Sequence, residues 1–305
     1  MRDKFKAKYL FCCLLALCLA LATACSATPG PQPGTGDTVT DLLGNEVRIP
    51  EKVDKIVSLT PADLEILFAL GLGEKVIGRV SYSNYPEQAA DIPEMGDYSG
   101  PNVEAIIAAD ADIVFTGNNI QQDSVDMLVQ AGCTVICAEA TAYDQILEAV
   151  MLIGSAAGVE DAAQKLAGEI EKRAEAVKKA AAALDTHPTA YYVMSYGDQG
   201  NWTSGKGSFI NDIITMAGGL CVTDDTDTAW IEYSMETLLE KDPDIIFLSS
   251  YYTVEALSAE AGYSDLRAVK EGRVYILDVN TVERPGPRVA DALEDILAVT
   301  SAFAG

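Results

Sequence analysis

The sequence predicts an α/β protein: two α/β lobes with mainly parallel sheets, joined by one long rigid α-helix, with a ligand cleft between the lobes. Three observations lead there. Short apolar runs alternate with helical stretches between residues 55 and 158, which is the pattern of βαβ units and a parallel sheet. Residues 161–184 then form a stretch rich in Ala, Glu and Lys, with Leu166, Ile170, Val177 and Leu184 at spacings of four, seven and seven; that is one apolar stripe on a helix of ~24 residues, roughly 36 Å long. Beyond His187-Pro188 the strand and helix alternation restarts, so the long helix bridges two lobes of similar size.

Before the first lobe, Lys4, Lys6 and Lys8 lead into an apolar run over residues 9–22, too short to span a bilayer and of the length of a secretory signal core. Leu21-Ala22-Thr23-Ala24-Cys25 resembles the lipobox of bacterial lipoproteins, with the leucine one place early. Cys18 is a worse candidate because Leu17 stands where a small residue is needed. Residues 1–24 therefore read as a lipoprotein signal peptide and Cys25 as the lipidation site. Residues 25–37, with the run SATPGPQPGTGD from Ser26, have the composition of a flexible tether. The protein is expected at the extracytoplasmic face of the cell membrane, held there by its lipid anchor.

The first lobe, residues 38–160, opens with a hairpin over residues 39–50 that turns at Gly44-Asn45. Residues 55–59 read as a buried strand, followed by a helix over 61–70 with Pro61 in its first turn and Gly71 at its end. Further strands are predicted at residues 76–80, 113–116 and 134–138, and further helices at about 103–109, 123–131 and 143–158. Residues 161–186 form the linker. In the second lobe, residues 187–305, strands are predicted at 190–195, 244–249 and 273–278, and helices near 208–217, 234–240, 254–259 and 287–303. In such an architecture the default ligand site is the crevice lined by loops at strand ends.

Composition excludes some functions. Removal of the leader changes 21 basic and 46 acidic residues into 17 and 45, a net charge near −28 that argues against nucleic acid and against adhesion to anionic lipid. Cys133 and Cys137 lie on one face of a predicted strand, about 13 Å apart at ~3.3 Å per residue, too far to bridge. With His187 as the single histidine, at the end of the predicted long helix, no metal site is expected. No catalytic set emerges. The run from Gly200 to Gly207 nearly spells a phosphate-binding loop, but Gly207 stands where Ser or Thr belongs and no apolar strand leads directly into it. Asp224-Asp225-Thr226-Asp227 lacks the glycine and distal glutamate of a calcium loop and reads as a solvated turn.

What the loops contain is aromatic surface: Tyr82, Tyr85, Tyr98, Tyr196, Trp202, Trp230, Tyr251 and Tyr252. Aromatic faces suit a large, flat or greasy ligand because they supply contact area with little side-chain entropy to lose.

Ile56-Val57-Ser58-Leu59-Thr60-Pro61, Glu65-Ile66-Leu67-Phe68-Ala69-Leu70-Gly71 and Ser81-Tyr82-Ser83-Asn84-Tyr85-Pro86 resemble the opening of the ABC-importer substrate-binding proteins that carry cobalamin, haem and ferric siderophores. Asn102-Val103-Glu104-Ala105-Ile106, WTSGKGSFINDIITMAGG from Trp202, the stretch from Trp230, Asp242-Pro243-Asp244-Ile245-Ile246 and Arg284-Pro285-Gly286-Pro287-Arg288 continue the resemblance in order and spacing. It implies a non-enzymatic, monomeric carrier without a resident cofactor, whose partners are a small-molecule ligand and a membrane permease dimer with its ATPase. It also implies that Tyr82, Tyr98, Tyr196, Trp230 and Arg284 line the cleft, and that Glu104 and Glu236, one per lobe, meet arginines of the permease.

Ferric siderophores and haem usually reward clustered basic groups, whereas the loops here offer mainly Arg79, Lys206, Arg284 and Arg288 amid aromatics. That balance, together with the similarity of Tyr82-Ser83-Asn84-Tyr85-Pro86 to the cobalamin-binding pattern, favours a corrinoid. A haem or ferric-siderophore binder of the same class is the alternative, and a lipoprotein enzyme or sensor on the same scaffold is a remoter one.

Overall fold

A computed structural model describes residues 37–305. The expected signal peptide, the expected lipidation site Cys25 and all of the expected tether except Asp37 lie outside the described residues. A hairpin of β1 (Thr38–Thr40) and β2 (Glu46–Arg48) comes first. Its turn is organised by Asp41, whose carboxylate accepts from the backbone N–H of Leu43 and Asn45 at 3.0 and 2.8 Å.

The N-terminal sheet is built from β3 (Ile56–Ser58), β4 (Val76–Arg79), β7 (Ile113–Thr116) and β8 (Thr134–Cys137), all parallel, in the order β4-β3-β7-β8. Between β4 and β7 lies a tight ribbon of β5 (Gly96–Asp97) and β6 (Gly100–Pro101). Helices α1 (Pro61–Ala69), α2 (Val103–Ala108) and α3 (Gln122–Gln130) make the crossovers, and α4 (Tyr143–Ala156) follows the last strand and leads to the linker. The strand period of two sorts the side chains: Ile56, Ile113 and Phe115 enter one apolar cluster, whereas Val57 and Val114 enter another with Leu128 and Cys133.

The C-terminal sheet repeats the topology. Strands β9 (Thr189–Val193), β11 (Leu220–Cys221), β13 (Ile245–Ser249) and β14 (Val274–Leu277) are parallel in the order β11-β9-β13-β14. A separate antiparallel ribbon pairs β10 (Trp202–Ser204) with β12 (Trp230–Glu232). Both tryptophans, expected in loops, therefore stand on short strands; runs of three residues are too brief for alternation to reveal them. The strand over residues 202–204 also removes the phosphate-loop reading, because these residues are committed to a ladder. Helices of this lobe are α6 (Phe209–Met216), α7 (Met235–Lys241), α8 (Val254–Ala259), α9 (Arg267–Lys270), α10 (Val279–Val282) and α11 (Val289–Ala304).

The linker helix α5 runs over Glu160–Ala181 and has 22 residues, shorter at its C-terminal end than the sequence predicts. Leu184 follows it in the turn, and His187, expected on the helix, lies beyond it with its ring Nδ1 2.9 Å from the Gly218 carbonyl. The buried stripe is Ala163, Ile170, Ala174, Val177 and Ala181. Gly154 of α4 faces Ala163 so closely that a Cβ there would run into the alanine, so glycine is what lets the two helices pack side by side. Arg173 ties α5 to α11 through Asp291 and Glu294 at 2.7 and 2.8 Å. The inner faces of both sheets, α4, α5, α6 and α11 feed one apolar cluster that includes Ile56, Phe115, Ile153, Ile170, Tyr192, Ile213, Phe247 and Ile296. The lobes thus share a core on one side and part on the other. Among the described residues no helix is long and apolar enough to cross a membrane.

Candidate functional site

In both sheets the first strand has its neighbours on opposite sides, so a topological switch point lies at the carboxyl ends of the strands, where open α/β sheets take ligands. A cleft of about 1020 Å³ opens there between the lobes. From the N-terminal lobe it is lined by Pro61 and Ala62 at the start of α1, Tyr82 and Asn84 after β4, Tyr98 and Glu139; from the other lobe come Gln199, Tyr251, Asn280, Glu283 and Arg284.

Tyr98 sits at the turn of the β5–β6 ribbon, where Asp97 accepts from the Ser99 N–H at 2.8 Å and holds the turn. Its ring stacks on Tyr82 with centroids 4.2 Å apart and planes 16° from parallel, yet it remains 83% exposed. Tyr251 in the opposite lobe is 69% exposed. Unburied aromatic faces on both walls of a cleft offer flat apolar contact without a folding role to justify them.

Arg284 of the lining belongs to an ion cluster whose charge is balanced. Glu65 of α1, 4% exposed, receives two hydrogen bonds from Arg288 at 2.8 and 2.7 Å and one from Arg284 at 3.3 Å. Arg284 also donates to Asn84 Oδ1 at 2.9 Å, and the Arg288 guanidinium lies 3.9 Å from the centroid of the Tyr85 ring. The two arginines are thereby spoken for. Burial raises the pKa of Glu139, and burial raises that of Glu283 although Tyr192 donates its hydroxyl at 2.6 Å. Of the other basic loop residues, Arg79 is buried and donates to the carbonyls of Ala89, Val80 and Ser81 at 2.6, 2.9 and 3.1 Å. Lys206 lines a different hollow, beside Tyr143 and Lys178.

Tyr82, Tyr98 and Arg284 are therefore brought together, whereas Tyr196 and Trp230 fall outside this lining. Tyr196 stands one layer back: its ring lies 4.7 Å from Tyr252, whose hydroxyl donates to Gln199 of the cleft wall at 2.9 Å. Trp230 is edge-on to Phe209 at 6.4 Å, and the Phe209 N–H crosses to the Thr141 carbonyl of the other lobe at 2.9 Å. Glu104 and Glu236 are both exposed in the first turns of α2 and α7. Asn102 Oδ1 accepts from the Ala105 N–H at 3.1 Å and Ser234 Oγ from the Thr237 N–H at 3.4 Å, so both helix starts are capped.

Glu65, Asn84, Glu139 and Glu283 were not legible as site residues. For Glu65 a signal exists: an acid inside the apolar helix sequence PADLEILFAL must find a cation if it is buried. Asp63 in the same run is fully buried, its two carboxyl oxygens lack a hydrogen-bond partner, and burial, reinforced by Glu139, pushes its pKa well above the usual range.

Two similar α/β lobes, a shared core behind them and an aromatic cleft in front define a two-lobed solute-binding protein. The chain belongs to the periplasmic binding protein family, whose sequence profile matches residues 56–281. It is 29% identical over 265 residues to the uncharacterized ABC transporter substrate-binding lipoprotein YvrC of Bacillus subtilis, covering 85% of this chain and 83% of that one. It is 25% identical over 250 residues to the vitamin B12-binding protein of Vibrio cholerae, covering 81% and 89%. Among solved structures, the periplasmic heme-binding protein RhuT from Roseiflexus sp. RS-1 superposes with a TM-score of 0.76 at 24% identity over 83% of this chain and all of that one, a likeness of fold.

Proposed function

We propose that this protein is the substrate-binding lipoprotein of an ABC importer, that it captures a corrinoid in the cleft between its lobes, and that it delivers the corrinoid to a membrane permease. The name of YvrC supports the importer class, and that of the Vibrio protein supports a corrinoid ligand. The observation that carries the ligand is the balance of charge in the cleft. Haem propionates and most ferric siderophores present several negative charges and reward free guanidinium or ammonium groups. Here Arg284 and Arg288 already share Glu65, and Glu139 and Glu283 add carboxyl groups to the walls. A corrin ring with amide arms asks for flat aromatic contact and neutral hydrogen-bond partners, which Tyr82, Tyr98, Tyr251, Asn84 and Gln199 supply. The volume suits a large ligand.

In this reading Tyr82, Tyr98 and Arg284 touch the ligand, Tyr196 backs the wall through Tyr252 and Gln199, and Trp230 reaches the ligand only if the lobes approach. Glu104 and Glu236 engage the permease. A thermal-shift comparison of cobalamin, cobinamide, haem and ferric siderophores tests the assignment, since a ligand at 100 times its dissociation constant adds about 2.7 kcal/mol. Stabilisation by haem or a siderophore but by neither corrinoid would replace the ligand and leave the importer role standing.

A further inference from the structure

A second hollow, of about 420 Å³, adjoins the cleft and shares Tyr82 and Tyr98 with it. It opens at the carboxyl ends of the N-terminal sheet, where Leu59 follows β3, Val80 follows β4 and Thr116 ends β7. Strand β3 lies between β4 and β7, so the hollow occupies the switch point of this lobe by itself. The two spaces also meet at their floor. Gly117 lines the hollow, Glu139 lines the cleft, and a Cβ on Gly117 would run into Glu139 Oε2; any larger residue there would displace the carboxyl.

The chemistry of the hollow differs from that of the cleft. Its wall is the tyrosine pair, and its rim carries Asp97, Ser99, Asn119 and Ser124. Asp97 is the one charged side chain among the described residues that line it. A carboxylate beside hydroxyl and amide groups suits a partner rich in hydroxyl donors, as where an acidic residue bonds the hydroxyls of a ribose. An aromatic wall beside it suits a flat base. An arm with both features is nucleoside-like.

We propose that this hollow is a subsite for the base-and-sugar end of a side arm carried by the ring in the cleft, and that it sets preference among ligands sharing the same ring. The proposal rests on the corrinoid reading above. Cobalamin carries such an arm and cobinamide lacks it, so the pair separates the two spaces. Calorimetry on the full chain in detergent, with Ser124→Phe to fill the hollow and Asp97→Asn to remove its charge while keeping the turn, provides the test. Ser124→Phe is expected to weaken cobalamin by about tenfold or more, the effect of losing one well-seated group, and to change cobinamide by less than about twofold; Asp97→Asn should act in the same direction with a smaller loss. The intact cobinamide affinity also reports that each variant is folded. Equal changes for both ligands, or no change for either, overturn the subsite while the corrinoid reading stands. A wild-type chain that binds neither corrinoid overturns both.

Discussion

Glu65 and Arg288, 223 residues apart, meet in a two-point ion pair that joins helix α1 of the first lobe to the start of α11 in the second. The carboxylate also accepts from Arg284, so one buried anion serves two guanidiniums. Removing one member of a buried pair leaves its partners uncompensated, at a cost of roughly 3–5 kcal/mol. Glu65→Ala is therefore expected to destabilise the protein by about that amount in urea denaturation. A loss below about 1 kcal/mol, the range of exposed pairs, would show that the arginines find water or other partners.

Tyr98 offers the cleanest test of the cleft, because its exposure separates binding from folding. Tyr98→Ala should leave the denaturation midpoint unchanged and weaken the ligand by about 1–2 kcal/mol, as for an aromatic anchor. Trp230→Ala run in parallel asks whether the lobes close far enough to recruit that ring. Full affinity in Tyr98→Ala would move the site away from the tyrosine pair.

The lobes are expected to move little when ligand binds. Helix α5 is continuous, and both sheets pack their inner faces into one cluster; a wide hinge would have to break that core. Small-angle scattering of free and loaded protein should give nearly superimposable profiles. A clear fall in radius of gyration on loading would contradict a rigid base.

Docking should depend on charge at two places. Glu104→Arg and Glu236→Arg each set like charges together at the permease, and each should abolish uptake while the isolated protein keeps its ligand affinity. Normal uptake by both variants would remove the docking role. Lost affinity would place these side chains in the binding site.

Asp63 gives the pH dependence its sign. Its pKa is raised in the folded state by burial and then by Glu139, so between the ordinary carboxylate pKa and the raised one the native state binds more protons than the unfolded chain. Stability falls as pH rises through that window. Asp63→Asn removes the penalty. The variant should melt about 3 °C or more above wild type at pH 7, the shift expected of 1 kcal/mol in a chain of this size, and match it near pH 4. A lower melting temperature at pH 7 would mean that the carboxylate has a stabilising partner.

The sequence by itself determined the two α/β lobes, the helix between them and nearly every strand of the two sheets, because each is written in a local period of apolar residues. Tyr98, Glu104 and Glu236 were legible for a similar reason: a tight turn between glycines and a capped first turn place a side chain outside whatever the rest of the chain does. Only the tertiary structure decided the charge of the cleft. Arg284 and Arg288 stand free in the sequence, and their neutralisation by Glu65 requires a contact across more than 200 positions. It also decided that the lobes share one core, that Tyr196 stands behind the cleft wall while Tyr251 faces the cleft, and that Tyr82 and Tyr98 form one stack between two hollows. Such facts depend on which elements meet, and no local period carries that information, since the same amphipathic helix can cover either lobe and the same arginine can face a ligand or a glutamate.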